Sequence, residues 1–201
     1  FKNRKRHSPE SVKLAKTIAD ESTVLLKNEN QLLPLDAKSL KSIAIIGPNA
    51  DQVQFGDYTW SRNNKDGVTP LQGIKNRVNK NTAIHYAKGC SLTSLDTSGI
   101  AEAVEAAKNS EVAVIFGGSA SAALARDYKS STCGEGFDLN DLNLTGAQSQ
   151  LIREVYRTGT PVILVLVTGK PFVIEWEKNN LPAILVQWYA GEQAGNSIAD
   201  I

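Results

Sequence analysis

Three stretches of this sequence, residues 111–116, 161–167 and 183–187, are apolar along nearly their whole length. A strand with one wet face alternates apolar and polar residues, whereas an unbroken apolar run suits a strand covered on both faces. Short β-branched runs at 42–46 and 82–86 join them. Helical patterns separate the runs at 71–78, 100–109, 147–157 and a short 172–177, and a last one starts near Glu192. This alternation predicts an α/β fold, a mainly parallel sheet of about five to six strands flanked by helices. Ahead of it, Ser8-Pro9-Glu10 reads as an N-cap, a first-turn proline and a first-turn acid. Val12, Ala15, Ile18, Ala19 and Ser22 recur at helical spacing, and Leu25 and Leu26 extend the pattern, so a helix to about Leu26 is predicted. Asn28-Glu29-Asn30 breaks it, and Leu32-Leu33-Pro34-Leu35 forms an apolar connector. The resulting organisation is an entering helix and connector over 1–35, then an α/β domain over 36–201.

Charge and cysteine usage narrow the function classes. Lys and Arg number 22 against 21 Asp and Glu, a net charge of +1. That balance argues against a nucleic-acid groove or an anionic membrane surface as the main partner. The longest apolar run is far shorter than the roughly 20 residues a membrane helix needs. Cys90 and Cys133 are the only cysteines and cannot build a disulfide framework. With His7 and His85 they are too few for a zinc site, so neither metal nor cofactor is expected. The chain contains no Met and starts at Phe1, which reads as a processed or excised piece of a longer product.

Connections leading into the strands are short, but those leaving the first three are long: 47–70, 87–99 and 117–145. In open α/β sheets ligands bind beyond the carboxyl ends of the strands, so these three loops are where a site is expected. The first gathers Phe55, Tyr58 and Trp60 within six residues of a chain that is only 6% aromatic. Aromatic faces beside Asp57, Arg62 and Asn63 suit a ligand with apolar faces and hydroxyl edges, such as a sugar. The plainer alternative, strongest for Phe55, is that the ring only anchors the loop. In the third loop, Gly134-Glu135-Gly136 sets a carboxylate between two glycines, which take backbone conformations closed to other residues. Held near Phe137, that carboxyl would be partly desolvated, the condition under which it stays protonated as a general acid. The alternative is a solvated turn acid. No G-x-G-x-x-G follows a strand, no G-x-S-x-G elbow is present, and Gly117-Gly118-Ser119 is too short a phosphate signal. Asp51, just after the first strand, would suit a receiver-like phospho-acceptor, but the accompanying acidic cluster is missing.

Several fragments in order resemble the C-terminal α/β sandwich domain of family 3 glycoside hydrolases, the β-glucosidase and β-xylosidase group. They are Ser22-Thr23-Val24-Leu25-Leu26-Lys27-Asn28-Glu29 with Leu32-Leu33-Pro34-Leu35, then Ile45-Ile46-Gly47-Pro48-Asn49-Ala50-Asp51. Thr69-Pro70-Leu71-Gln72-Gly73-Ile74, Tyr86-Ala87-Lys88-Gly89-Cys90 and Trp188-Tyr189-Ala190-Gly191-Glu192-Gln193-Ala194-Gly195 follow. The resemblance implies a retaining β-glycosidase acting on terminal non-reducing β-linked sugars of oligosaccharides or aryl and alkyl glycosides. It implies an Asp nucleophile on a preceding TIM-like barrel that this chain lacks, and a catalytic acid/base Glu from the sandwich domain. Gly134-Glu135-Gly136-Phe137-Asp138 resembles the segment that carries this Glu, although Leu139 stands where members often have Arg. Tyr58 and Trp60 resemble the loop that lines the leaving-group side. Periplasmic or extracellular placement, a sixth strand after Ile201, inactivity of the chain alone and mobility of 119–137 without the barrel are further expectations. The competing reading is a carbohydrate-binding or structural domain without a catalytic residue.

Overall fold

The structure, a computed structural model, describes residues 7–59, 64–121, 132–135 and 140–201. The predicted runs form β2 (Ser42–Ile46), β3 (Ala83–Ala87), β4 (Val112–Gly118), β5 (Val162–Val167) and β6 (Ala183–Val186). These five strands are parallel. Every residue of β4, β5 and β6 is buried, as continuous apolar character requires. Successive side chains alternate between two cores. Ile43, Ile45, Val114, Phe116 and Ile163 face one side of the sheet, and Ala44, Ile46, Ile115, Leu164 and Ile184 the other.

Helices α2 (Pro70–Arg77) and α6 (Ala194–Asp200) cover the first side, while α3 (Ile100–Lys108) and α4 (Gln148–Tyr156) cover the second. The short α5 (Glu175–Asn180) lies three residues beyond its predicted place and docks on α4 through an edge-to-face contact of Trp176 with Tyr156. At α2, the Thr69 hydroxyl accepts the Gln72 N–H and Pro70 occupies the first turn, the same kind of start that Ser8 and Pro9 make for the first helix.

The N-terminal prediction is corrected. Helix α1 (Pro9–Ser22) stops four residues early, and β1 (Val24–Asn28) is a strand paired antiparallel with β6. The reason is tertiary. The open edge of β6 offers unpaired backbone groups, and pairing satisfies those N–H and C=O groups of Val24–Asn28 that face β6 without burying Leu25 and Leu26, which remain exposed. The sheet order is β1-β6-β5-β4-β2-β3, so the sixth strand comes from the N-terminal segment.

The order has a consequence for function. From β2 the chain moves to one side to make β3 and then crosses to the other side to make β4. The crossing opens a crevice at the carboxyl ends of β2 and β4, the place where α/β sheets hold ligands.

Candidate active site

Two glycines let the chain leave these strands laterally. Gly47 and Gly118 have φ of +115° and +122°, and a Cβ on them would lie 2.3 Å from the Phe116 carbonyl oxygen and 2.2 Å from that of Val167. Any side chain would collide with the neighbouring strand's backbone. The three long loops therefore diverge from adjacent strand ends and are tied together by buried amides. Asn49, fully buried, donates from Nδ2 to the Gly117 and Ser119 carbonyls at 3.3 Å, and its Oδ1 accepts from Gln54 at 2.8 Å. Gln148 accepts the Gly118 N–H at 2.8 Å and donates to the carbonyls of Gly118 and Leu92. Asn64 closes the first loop by accepting the Val53 N–H and donating to the Asp51 carbonyl. Sequence alone does not mark these amides as loop ties, because each is an ordinary polar residue until the fold places it beside distant backbone groups.

The loops enclose a cavity of about 530 Å³ whose lining includes Gln52, Gln54, Tyr86, Lys88, Ser91 and Ser121. Asp51 also borders it, with Oδ1 accepting the Thr69 hydroxyl at 2.8 Å. The Asp51 carboxylate thus fastens the loop to the N-terminus of α2. Among the described residues, no group of three or more His, Cys, Asp or Glu side chains could hold a metal ion.

Glu135 lies in the third loop directly after Gly134, whose φ is +124°. Its N–H donates to Oδ2 of Asp57 at 2.9 Å, so the loop carrying the carboxyl touches the loop carrying the aromatic residues. The Glu135 side chain is exposed. The described residues therefore do not supply the desolvation expected beside Phe137, because the turn at Gly134 carries Glu135 to the rim. Phe137, Asp138, Leu139 and Trp60 lie outside the described residues, as does most of the 119–137 segment. Tyr58 is 79% exposed and has φ of +62°, a left-handed conformation that costs a non-glycine residue roughly 1–3 kcal/mol. Phe55 is buried, so the anchoring alternative holds for that ring.

Beneath this rim lies a hydrogen-bonded cluster. The Tyr189 hydroxyl is 2.7 Å from both Ser119 Oγ and Cys133 Sγ, and Ser119 Oγ donates to Thr168 Oγ1 at 3.0 Å. Burial, reinforced by the Cys133 contact, pushes the Tyr189 phenol far above its usual range, so it stays protonated as a donor. Burial also pushes the Cys90 thiol up to about 11, and both cysteines are free. Cys90 behaves as a small apolar side chain rather than a nucleophile. The available signal for this cluster was Ser119 and Tyr189 at the ends of two buried strands.

The family model for the glycosyl hydrolase family 3 C-terminal domain matches residues 23–201. The chain belongs to this family. It is 40% identical over 190 residues to a β-xylosidase of Formosa agariphila, covering 92% of this chain and 25% of that protein. It is 36% identical over 213 residues to a periplasmic β-glucosidase of Salmonella typhimurium, covering 94% and 26%. Among solved structures, a β-glucosidase from Erythrobacter marinus superposes with a TM-score of 0.83 at 32% identity, covering 97% of this chain and 28% of that one. A Listeria innocua β-glucosidase in complex with isofagomine superposes with a TM-score of 0.82 at 28% identity, covering 100% and 27%. The chain thus spans about a quarter of the length of the relatives it matches. Membership of the family accounts for the parallel sheet and for the order of the sequence fragments. Among the described residues, no helix is long and apolar enough to cross a membrane.

Proposed function

We propose that this family 3 C-terminal domain is part of a retaining β-glycosidase, with Glu135 as its general acid/base and Tyr58 and Trp60 against the leaving-group sugar. The observation that carries the reading is the hydrogen bond from the Glu135 N–H to Asp57. It puts a carboxyl and an exposed aromatic ring on two touching loops at the carboxyl edge of the sheet. The names of the relatives support xylosides or glucosides as the substrate class. In this reaction Glu135 protonates the glycosidic oxygen as an Asp on a preceding barrel attacks the anomeric carbon. The bond to the leaving sugar breaks and a glycosyl ester forms. Glu135, now a carboxylate, removes a proton from water, which displaces the Asp and releases the sugar with its configuration retained. The two carboxyl groups of such a site stand about 5–5.5 Å apart. The exposure of Glu135 is compatible with this role because the barrel domain would cover that rim. The periplasmic relative supports a periplasmic or extracellular place of action.

Chemical rescue tests the reading in the full-length protein. Glu135→Ala is expected to lose activity on glycosides with poor leaving groups, and azide is expected to restore turnover of substrates with good leaving groups. Full activity of Glu135→Ala would instead favour a carbohydrate-binding or structural domain, in which Glu135 is a solvated loop acid.

A further inference from the structure

We infer that Asp57 is a positioning residue for Glu135, a clamp from the first loop that fixes the backbone of the acid/base turn. The inference rests on the reading of Glu135 as the acid/base. It is motivated by three features of the turn. Its base is held by the segments that follow β4 and β6: Cys133 forms an isolated bridge with Ser121, and its sulfur meets the Tyr189 hydroxyl at 2.7 Å. Next comes Gly134, at φ +124°, a link with more rotational freedom than any other residue would give. Beyond that link, among the described residues, the Glu135 backbone is tied from outside its loop by Asp57 Oδ2, 78 positions away in sequence. A carboxyl on a glycine hinge sweeps a wide arc, and the hydrogen bond to Asp57 narrows it.

Asp57 is suited to this by its own surroundings. Its Oδ1 is buried and, among the described residues, has no hydrogen-bond partner, so the carboxylate has been drawn in from water for the contact that Oδ2 makes. The residue before it, Gly56, lies against the Tyr189 ring, where a Cβ would be 3.9 Å from Cδ2. The same ring's hydroxyl holds Cys133, so the two arms of the clamp rest on one side chain. Tyr58 follows Asp57 directly, and a leaving-group sugar against its ring would press on the turn that sets Glu135.

Acid catalysis is sensitive to such placement: a displacement of about 1 Å costs on the order of 10²-fold in rate. It matters only where the leaving group needs a proton. The test therefore compares kcat/KM, which reports the first bond-breaking step, for two substrates of the full-length enzyme. One is an alkyl β-glycoside or disaccharide, and the other is the 2,4-dinitrophenyl β-glycoside, whose leaving group departs without protonation. Asp57→Ala is expected to lower kcat/KM about 10- to 100-fold on the first and less than about 3-fold on the second. Asp57→Asn, which keeps an acceptor oxygen for the Glu135 N–H, is expected to stay within about 5-fold of wild type on both. Should Asp57→Ala not fold, Asp57→Ser, whose oxygen falls short of Glu135, takes its place with the same expectation. Equal losses on both substrates, no loss on either, or an Asn variant as impaired as Ala would overturn the inference. Glu135→Ala measured on the same pair separates the two levels. If it shows no leaving-group dependence, the acid/base reading fails and the clamp falls with it; if it does and Asp57→Ala does not, only the clamp fails.

Discussion

At the scale of single residues, the site edge is organised by buried amides more than by charges. Gln148 is 1% exposed; its Oε1 accepts the Gly118 N–H, and the two hydrogens of its Nε2 are shared among the Gly118, Leu92 and Thr145 carbonyls. Gln148→Leu preserves volume but takes this partner from a buried strand-end N–H and from the Gly118 carbonyl, while the Leu92 carbonyl keeps the Thr145 hydroxyl. The expected cost is about 3 kcal/mol, since each unsatisfied buried group costs about 1–3 kcal/mol and the carbonyls can partly relax. Urea unfolding of the isolated chain would measure it; a midpoint unchanged from wild type would mean that water replaces the amide. Glu135, Tyr58 and Trp60 stand out in the sequence as candidates because they are chemistry-bearing residues in loops too long for mere connection. Asn49 and Gln148 were not legible as ties, because an amide's role depends on which backbone groups the fold brings within about 3 Å of it.

At the scale of elements, α2 and α6 cross with almost no space between their backbones. A Cβ on Gly73 would lie 1.9 Å from the Gly195 carbonyl oxygen, and a Cβ on Gly195 would lie 2.0 Å from that of Thr69. These are contacts with backbone, so no side-chain rotation relieves them. Gly73→Ala raises helix propensity by about 1 kcal/mol but must push the helices apart, at a cost of roughly 1–3 kcal/mol or more. A net fall of about 3–8 °C in Tm is expected by calorimetry, against little change for Lys75→Ala on the exposed face of the same helix. A Gly73→Ala chain as stable as wild type would show that the crossing yields at no cost. The segment Val24–Asn28 shows the opposite limit of element prediction. Leu25 and Leu26 continue a helical apolar spacing, yet a free strand edge captured them. Local periodicity contains no record of that edge, which is assembled some 160 residues later in the chain.

At the scale of the whole molecule, the parallel sheet gathers three loops at one edge and presents Glu135 and Tyr58 there, exposed. If the nucleophile stands on a barrel outside this chain, the isolated chain is expected to show no hydrolysis of p-nitrophenyl β-glucoside or β-xyloside. Turnover that disappears in Glu135→Gln would overturn that expectation. The sequence by itself determined the fold class, five of the six strands to within a residue or two, and the edge at which the three long loops gather. These follow from burial on two faces, from short turns and from loop length, all written locally in the pattern of side chains. Tertiary structure alone decided the sixth strand, the amide ties between loops and the meeting of Asp57 with Glu135. Each of those is a contact between distant segments, chosen by which backbone groups the folded sheet leaves unpaired or brings within hydrogen-bonding reach.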